Sequence, residues 1–226
     1  YFVWAAVNED RAVVIDTGFT AEVAKKRKRT YLRCPVESLP LIGVDPDKVE
    51  DVVISHLHYD HVGSFHKFAK ARFHLQEAEM HYACGHFMKH HKLRHSFEVE
   101  DVAGIVRMTY ADRTVFHMGD GEVAPGITAH AMGGHSMGLQ CIRVNTERGQ
   151  VVLASDVTHF YENMDSGRPF STALPPALPS TLRAWVRFSA RAFENPARTG
   201  DAAQRGSSRV PPMPVQATGT PETSAS

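Results

Sequence analysis

The stretch that most constrains this chain is "VEDVVISHLHYDHVG", residues 49–63. Its first half is apolar and β-branched, which reads as a buried strand. The strand runs straight into His56, His58, Asp60 and His61. Alternate residues of an extended backbone point the same way, so His56 and His58 share one side. A turn then sends Asp60 and His61 toward the same pocket from the start of the next helix. Unpaired polar groups at a buried strand end lose hydration with nothing in return, so the crowding implies an occupant. Imidazole and carboxylate suit a borderline cation such as zinc. Four ligands exceed what one open catalytic zinc takes, and a two-metal site fits better.

All 14 histidines lie between His56 and His159. The stretch "CGHFMKHHKLRH", with His86, His90, His91 and His95, holds no carboxylate and reads as an exposed basic insertion near a site mouth. Two later stretches supply what the first cluster lacks. "MGGHSMG" presents His135 between glycines at a strand end, and "VVLASD" brings Asp156 to another, where a carboxylate can bridge two metals.

Along the chain, "YFVWAAV" and "RAVVIDTG" form a hairpin through "NED". A helix follows in "TAEVAKKRKRTYL", capped by Thr20. Its "KKRKR" run reads as a solvated helix face, since 25 basic residues balance 25 acidic ones and leave no global field for nucleic acid or an anionic membrane. "VGSFHKFAKA" and "EAEMHYA" read as helices on either side of a strand "RFHLQ". A further helix in "EVEDVAGIVRM" presents Val99, Val102, Val106 and Met108. "TVFHM", "ITAHAM", "LQCIRVN" and "VVLAS" are short strands. Strands and helices interspersed in this way indicate a layered α/β fold. No apolar run reaches the length of a membrane span, and Cys34, Cys84 and Cys141 form no disulfide or zinc framework. Reduced bacterial cytoplasm is the default location. The opening on Tyr1 reads as mid-strand, so a truncated N-terminus is expected.

Composition changes near residue 170. Residues 171–226 hold eight of the thirteen prolines and no His, Cys or Lys. The expected organisation is one domain over 1–170, followed by an atypical tail with a helix at 180–195 and then disorder.

"HLHYDH" matches the HxHxDH signature of the metallo-β-lactamase superfamily. "VVIDTG" around Asp16, "GGHSMG" around His135 and "LASD" at Asp156 follow in that superfamily's order. The wording of "VEDVVISHLHYDHVG", "ARFHLQEAEM" and "ASDVTHFYENM" resembles the N-acyl homoserine lactonase branch, which quenches quorum sensing. The resemblance covers residues 1 to about 170. It implies a four-layered αββα sandwich, incomplete at its C-terminal end, and two zinc ions. His56, His58 and His135 would hold the first ion; Asp60 and His61 would hold the second, with Asp156 bridging. A hydroxide between the metals would attack the carbonyl of a small-molecule lactone. Asp60, which doubles as a ligand, His159 and Tyr161 stand as the catalytic candidates. His159 takes the place of a Tyr found three residues after the bridging Asp in some lactonases, with Tyr161 as the nearby alternative. Asp16 reads as a turn carboxylate near the site and not a ligand.

The chain departs from the family in one respect. The family completes the second metal with a His in a late "GHD"-type segment, and no His follows His159 here. A truncated or frame-shifted ending is the expected cause, with activity impaired. Two other readings remain open: a hydrolase of the glyoxalase II thioesterase type on the same scaffold, and a non-catalytic remnant with weak metal binding. Nothing in the sequence forms a nucleic-acid groove, and oligomeric state is left open.

Overall fold

The computed structural model describes residues 1–166 and the strand 215–219. Strands β1 (Phe2–Val7) and β2 (Ala12–Ile15) form the expected antiparallel hairpin. Asn8 turns it, its Oδ1 accepting the Asp10 and Arg11 N–H groups. Helices α1 (Ala21–Arg27) and α2 (Pro35–Ser38) then lead to β3 (Asp51–Val53). The short α3 (Tyr59–Val62) follows, then β4 (Arg72–Gln76), α4 (Glu77–Cys84), α5 (His91–Arg94), α6 (Val99–Tyr110) and β5 (Thr114–His117). The chain continues through β6 (Gly121–Ala124), β7 (Ile127–Ala131), β8 (Gln140–Thr146), β9 (Gly149–Leu153) and α7 (Tyr161–Ser166). A last strand, β10, covers Val215–Gly219.

Two sheets result. One has the order β10-β1-β2-β3-β4-β5, the other β6-β7-β8-β9. Strands β2 to β5 are parallel, because helical segments carry the chain back between them, whereas the second sheet is an antiparallel meander. The period-2 alternation of side chains divides the first sheet cleanly. Val3, Ala5, Val14 and Val52 face a helix-side core with Leu39, Phe65, Phe73, Tyr82 and Ile105. Ala6, Val13, Ile15 and Val53 face the second sheet, meeting Ile127, Ala129, Ile142 and Val144. Cys141 and Val152 gather on the far side of the second sheet. The architecture is a layered α/β sandwich, with helices on one face of the first sheet and the second sheet on the other.

At the β4–β5 edge the space between sheets is polar. His74 Nε2 lies 2.9 Å from Asp51 Oδ1, and His74 Nδ1 lies 3.1 Å from His117 Nε2. Gln76 and Gln140 continue this network, their amides 2.9 Å apart. Buried polar groups are tolerated here because each finds a partner.

Several sequence expectations are corrected. "VGSFHKFAKA" is not a helix; only the single 3₁₀ turn Phe65–Lys67 forms. Helix α1 stops at Arg27, since Lys28 adopts a left-handed conformation (φ 55°) that ends it before "TYL". In α6, Val99 is exposed and the buried stripe is Val102 and Ile105. Gly104 lies so close to Phe65 that a Cβ would fall 2.3 Å from its Cζ. Strand β6 carried no readable signal. Within the tail, Val215–Gly219 pair antiparallel with Phe2–Ala6. A strand added at an open sheet edge is held by backbone hydrogen bonds and needs no apolar core of its own. The helix expected over 180–195 lies outside the described residues. No helix among the described residues is long and apolar enough to cross a membrane.

Asp101 gives a stability test. It is buried in the first turn of α6, and its Oδ2 has no hydrogen-bond partner. Burial, helped by Glu98, pushes its carboxyl up to about 6. The unfolded chain titrates near the ordinary value of about 3.9. The associated stability is therefore fully present below about pH 4 and lost as pH rises through about 6. Asp101→Asn is expected to stabilise the protein at pH 8 by about 1–3 kcal/mol, with no gain at pH 4. Chemical denaturation at the two pH values measures this, and a pH-independent difference contradicts it.

Candidate metal centre

The site lies at the carboxyl ends of the parallel strands, where open α/β sheets place their ligands. Strand β2 delivers Asp16, β3 delivers Ser55 and His56, β4 leads to Glu79, the β7–β8 loop carries His135, and β9 leads to Ser155 and Asp156. Helix α3 begins immediately after His58, so Asp60 and His61 enter from its first turn, as the sequence implied.

Two donor groups form among the described residues, each with its ligand atoms within 4.8 Å of one another: His56, His58 and His135; and His56, His61 and Asp156. His58 Nδ1 stands 2.9 Å from both His56 Nε2 and His135 Nε2. Asp156 Oδ2 lies 3.1 Å from His135 Nε2, 3.6 Å from His61 Nε2 and 3.9 Å from His56 Nε2, which places one carboxylate against both groups. Asp60 Oδ2 sits beside the second group, 3.8 Å from His61 Nε2. His159 Nε2 is 3.6 Å from Asp156 Oδ1, and its side chain is 37% exposed. Tyr161 opens α7, and its side chain lies outside the described residues. His86, His90, His91 and His95 are exposed and belong to neither group.

The electrostatics suit a cation. Burial, then the neighbouring imidazoles, lowers His56 and His58 well below the ordinary histidine value, so both present neutral lone pairs. Burial alone would lower His61 too, but the Asp16, Asp60 and Asp156 carboxylates outweigh it and raise His61 well above that value. Burial raises Asp60. Asp156 is pushed up by burial but pulled far below the usual carboxylate range by His61, His135 and His159. A proton on His61 thus occupies a position ringed by carboxylates, which a divalent cation would take over as it displaces that proton. Three imidazoles with a shared carboxylate on one side, and imidazole with carboxylate on the other, match the donor preferences of zinc.

Supporting residues fix these donors. Asp16 Oδ2 accepts from His61 Nδ1 at 2.7 Å and from the Ser55 hydroxyl at 2.9 Å, while Oδ1 accepts the Ser55 N–H at 2.7 Å. Ser155 donates to Ser55 Oγ at 2.8 Å. Asp16 and Ser155 both have positive φ, 61° and 49°, a conformation held at functional sites by the surrounding structure. Asp16 stands outside both donor groups and fixes the ring of His61 through Nδ1. Glu79, fully buried, accepts from Leu57 N at 2.9 Å, Gly138 N at 2.8 Å and the Ser136 hydroxyl. Sequence reasoning missed Glu79, Ser55 and Gln140. Only burial separates Glu79 from its neighbour Glu77.

The sequence profile of the metallo-beta-lactamase superfamily matches residues 1–201. The chain belongs to the metallo-beta-lactamase superfamily. It is 28% identical over 152 residues to an N-acyl homoserine lactonase of Bacillus thuringiensis, a match covering 66% of this chain and 54% of that protein. An N-acyl homoserine lactonase of Agrobacterium fabrum is 31% identical over 132 residues, covering 56% of this chain and 47% of its own. The chain spans about half the length of the curated relatives it matches. The fold is shared with an N-acyl homoserine lactone hydrolase solved with N-hexanoyl-L-homoserine at its catalytic metal center. The TM-score is 0.70 at 22% identity, over 84% of this chain and 76% of that one.

Replacing Asp16 tests the support of His61. The amide of Asp16→Asn would leave Nδ1 of His61 facing a donor or a weaker acceptor, and the tautomer with a free Nε2 lone pair would lose its anchor. Zinc affinity at the second group is expected to fall about 10- to 100-fold, read by competition against a chromogenic chelator. Wild-type affinity in a folded variant would refute the role.

Proposed function

We propose that this chain is a zinc-dependent hydrolase that opens the ring of N-acyl homoserine lactones. The observation that carries the reading is the meeting of His56, His58 and His135 with His61 and Asp156 in one pocket of a chain whose relatives are named for that activity. Bound divalent cations would polarise a carbonyl oxygen and lower the pKa of water to about 7.

The rest falls to the protein. His56, His58 and His135 would hold one ion, Asp60 and His61 the other, with Asp156 between them. Asp156, kept ionised by the histidines around it, supplies negative charge to both groups without needing a proton of its own. Once a cation displaces one His61 proton, Asp16 would keep the other on Nδ1 and leave the Nε2 lone pair facing the donor groups. His159, at the rim, would donate a ring N–H to the lactone carbonyl oxygen as negative charge develops there. Water adds across the acyl C–O bond, which breaks to give a free hydroxyl and a carboxylic acid that releases its proton to solvent as a carboxylate, on an otherwise unchanged acyl homoserine.

An apolar groove supports an amphipathic substrate. It is lined by Phe2, Phe19, Tyr31, Leu32, Leu41 and Ile42 among others. The Phe19 ring on its wall lies 5.7 Å from that of Tyr59, the residue between His58 and Asp60 in the chain. Arg27 stiffens this wall. Its guanidinium stacks 3.9 Å over Tyr59 while bonding Glu98 and the His95 carbonyl.

Zinc-loaded protein is expected to open N-acyl homoserine lactones, to lose that activity to a chelator and to regain it with zinc. Turnover of a thioester without lactone opening would overturn the substrate. His159→Phe is expected to lower kcat about 100-fold, as for loss of one oxyanion donor; an unchanged kcat would remove the donor role.

A further inference from the structure

The two loops that carry the three-histidine group are far apart in the chain and meet over a single carboxylate. Glu79 stands in the first turn of α4 with no exposed surface. Its Oε1 accepts the N–H of Leu57, the residue between His56 and His58. Its Oε2 accepts the N–H of Gly138 and the hydroxyl of Ser136, the residue after His135. Ser136 is itself fully buried. At Gly138 the loop passes so close to the helix start that a Cβ would fall 2.2 Å from the Glu79 backbone nitrogen. The Glu79 carboxylate thus receives three donors from two segments separated by nearly eighty residues, and each segment bears a ligand beside the bonded atom.

We propose that Glu79 is a positioning residue: by binding the Leu57 and Ser136–Gly138 segments together, it sets the spacing of His58 and His135 and hence the affinity of the three-histidine group for a divalent cation. The inference rests on the metal-binding part of the function proposed above and not on its substrate. The carboxylate is specifically suited to the task, because all three of its partners donate. A carboxamide has one oxygen, so whichever way it turns, its NH₂ faces an N–H. One loop must then move away. Buried partners of metal ligands act in this way, and their loss typically lowers affinity about 10- to 100-fold.

The test uses the full chain without substrate. Zinc affinity is measured by competition against a chromogenic chelator, and the visible spectrum of the cobalt(II)-loaded protein reports ligand geometry. Metal-free melting temperature is followed beside both. Glu79→Gln is expected to weaken zinc binding by about 10- to 100-fold and to change the cobalt spectrum, with Ser136→Ala shifting both in the same direction by less. A merely structural role would lower the metal-free melting temperature and leave affinity and spectrum at wild-type values; that result overturns the proposal. Should Glu79→Gln fail to fold, wild-type affinity in Ser136→Ala overturns it instead. Wild-type protein that takes up no zinc would sink this proposal and the metal reading together, whereas zinc uptake without lactone turnover would sink the substrate reading alone.

Discussion

Everything at the functional end of this molecule follows from burying imidazoles and carboxylates together. His56, His58, His61 and His135 are each less than a tenth exposed, and Asp60 and Asp156 stand among them. Such groups lose their hydration on folding, and the loss is tolerable only where each finds a partner or a cation. The fold meets that demand from two directions. Inward-facing nitrogens and oxygens converge on common points, while outward-facing atoms are held by Asp16, Ser55 and Ser155.

The sandwich makes this convergence possible. Parallel strands must all end on the same side, so β2, β3 and β4 deliver their following residues to one rim. The second sheet is pressed against the first by Ile127, Ala129, Ile142 and Val144 and brings His135 and Asp156 to the same rim. Glu79 and Gln140 join the sheets just beneath the ligands. Gln140 bonds the Ile54 and His74 carbonyls through its amide and the Ser55 carbonyl through its backbone N–H. The first sheet therefore provides a rigid floor, and the loops above it are tied down at several points by the protein itself.

Much of this was legible in the linear chain. The β-branched run before His56 and the HxHxDH spacing were legible because residues on one turn share a local geometry that spacing reveals, and His135 between glycines and Asp156 after a strand stood out by residue type. The capping Thr20 and the β1–β2 hairpin were equally local, and both formed as read. Failures occurred where the deciding contact was remote. "VGSFHKFAKA" has helical composition, yet Phe65 and Phe68 are drawn into the core against Phe73 and Ile105, and regular helix gives way to a turn. Val99 has the right spacing for a buried stripe, but the position of α6 over Phe65 turns another face inward.

The sequence by itself offered the candidate donors, their order and the class of chemistry they suit, since those follow from side-chain identity, and the fold gathers five of them, His56, His58, His61, His135 and Asp156, into two groups. Only tertiary structure decided which partners hold the donor side chains and their loops in place. Asp16 meets His61 across 45 positions, Ser155 meets Ser55 across 100, and Glu79 meets Ser136 across 57. No local pattern marks such pairs. They exist because sheet closure and hydrophobic packing bring distant strand ends to one place, and burial there leaves each polar atom with those neighbours instead of water.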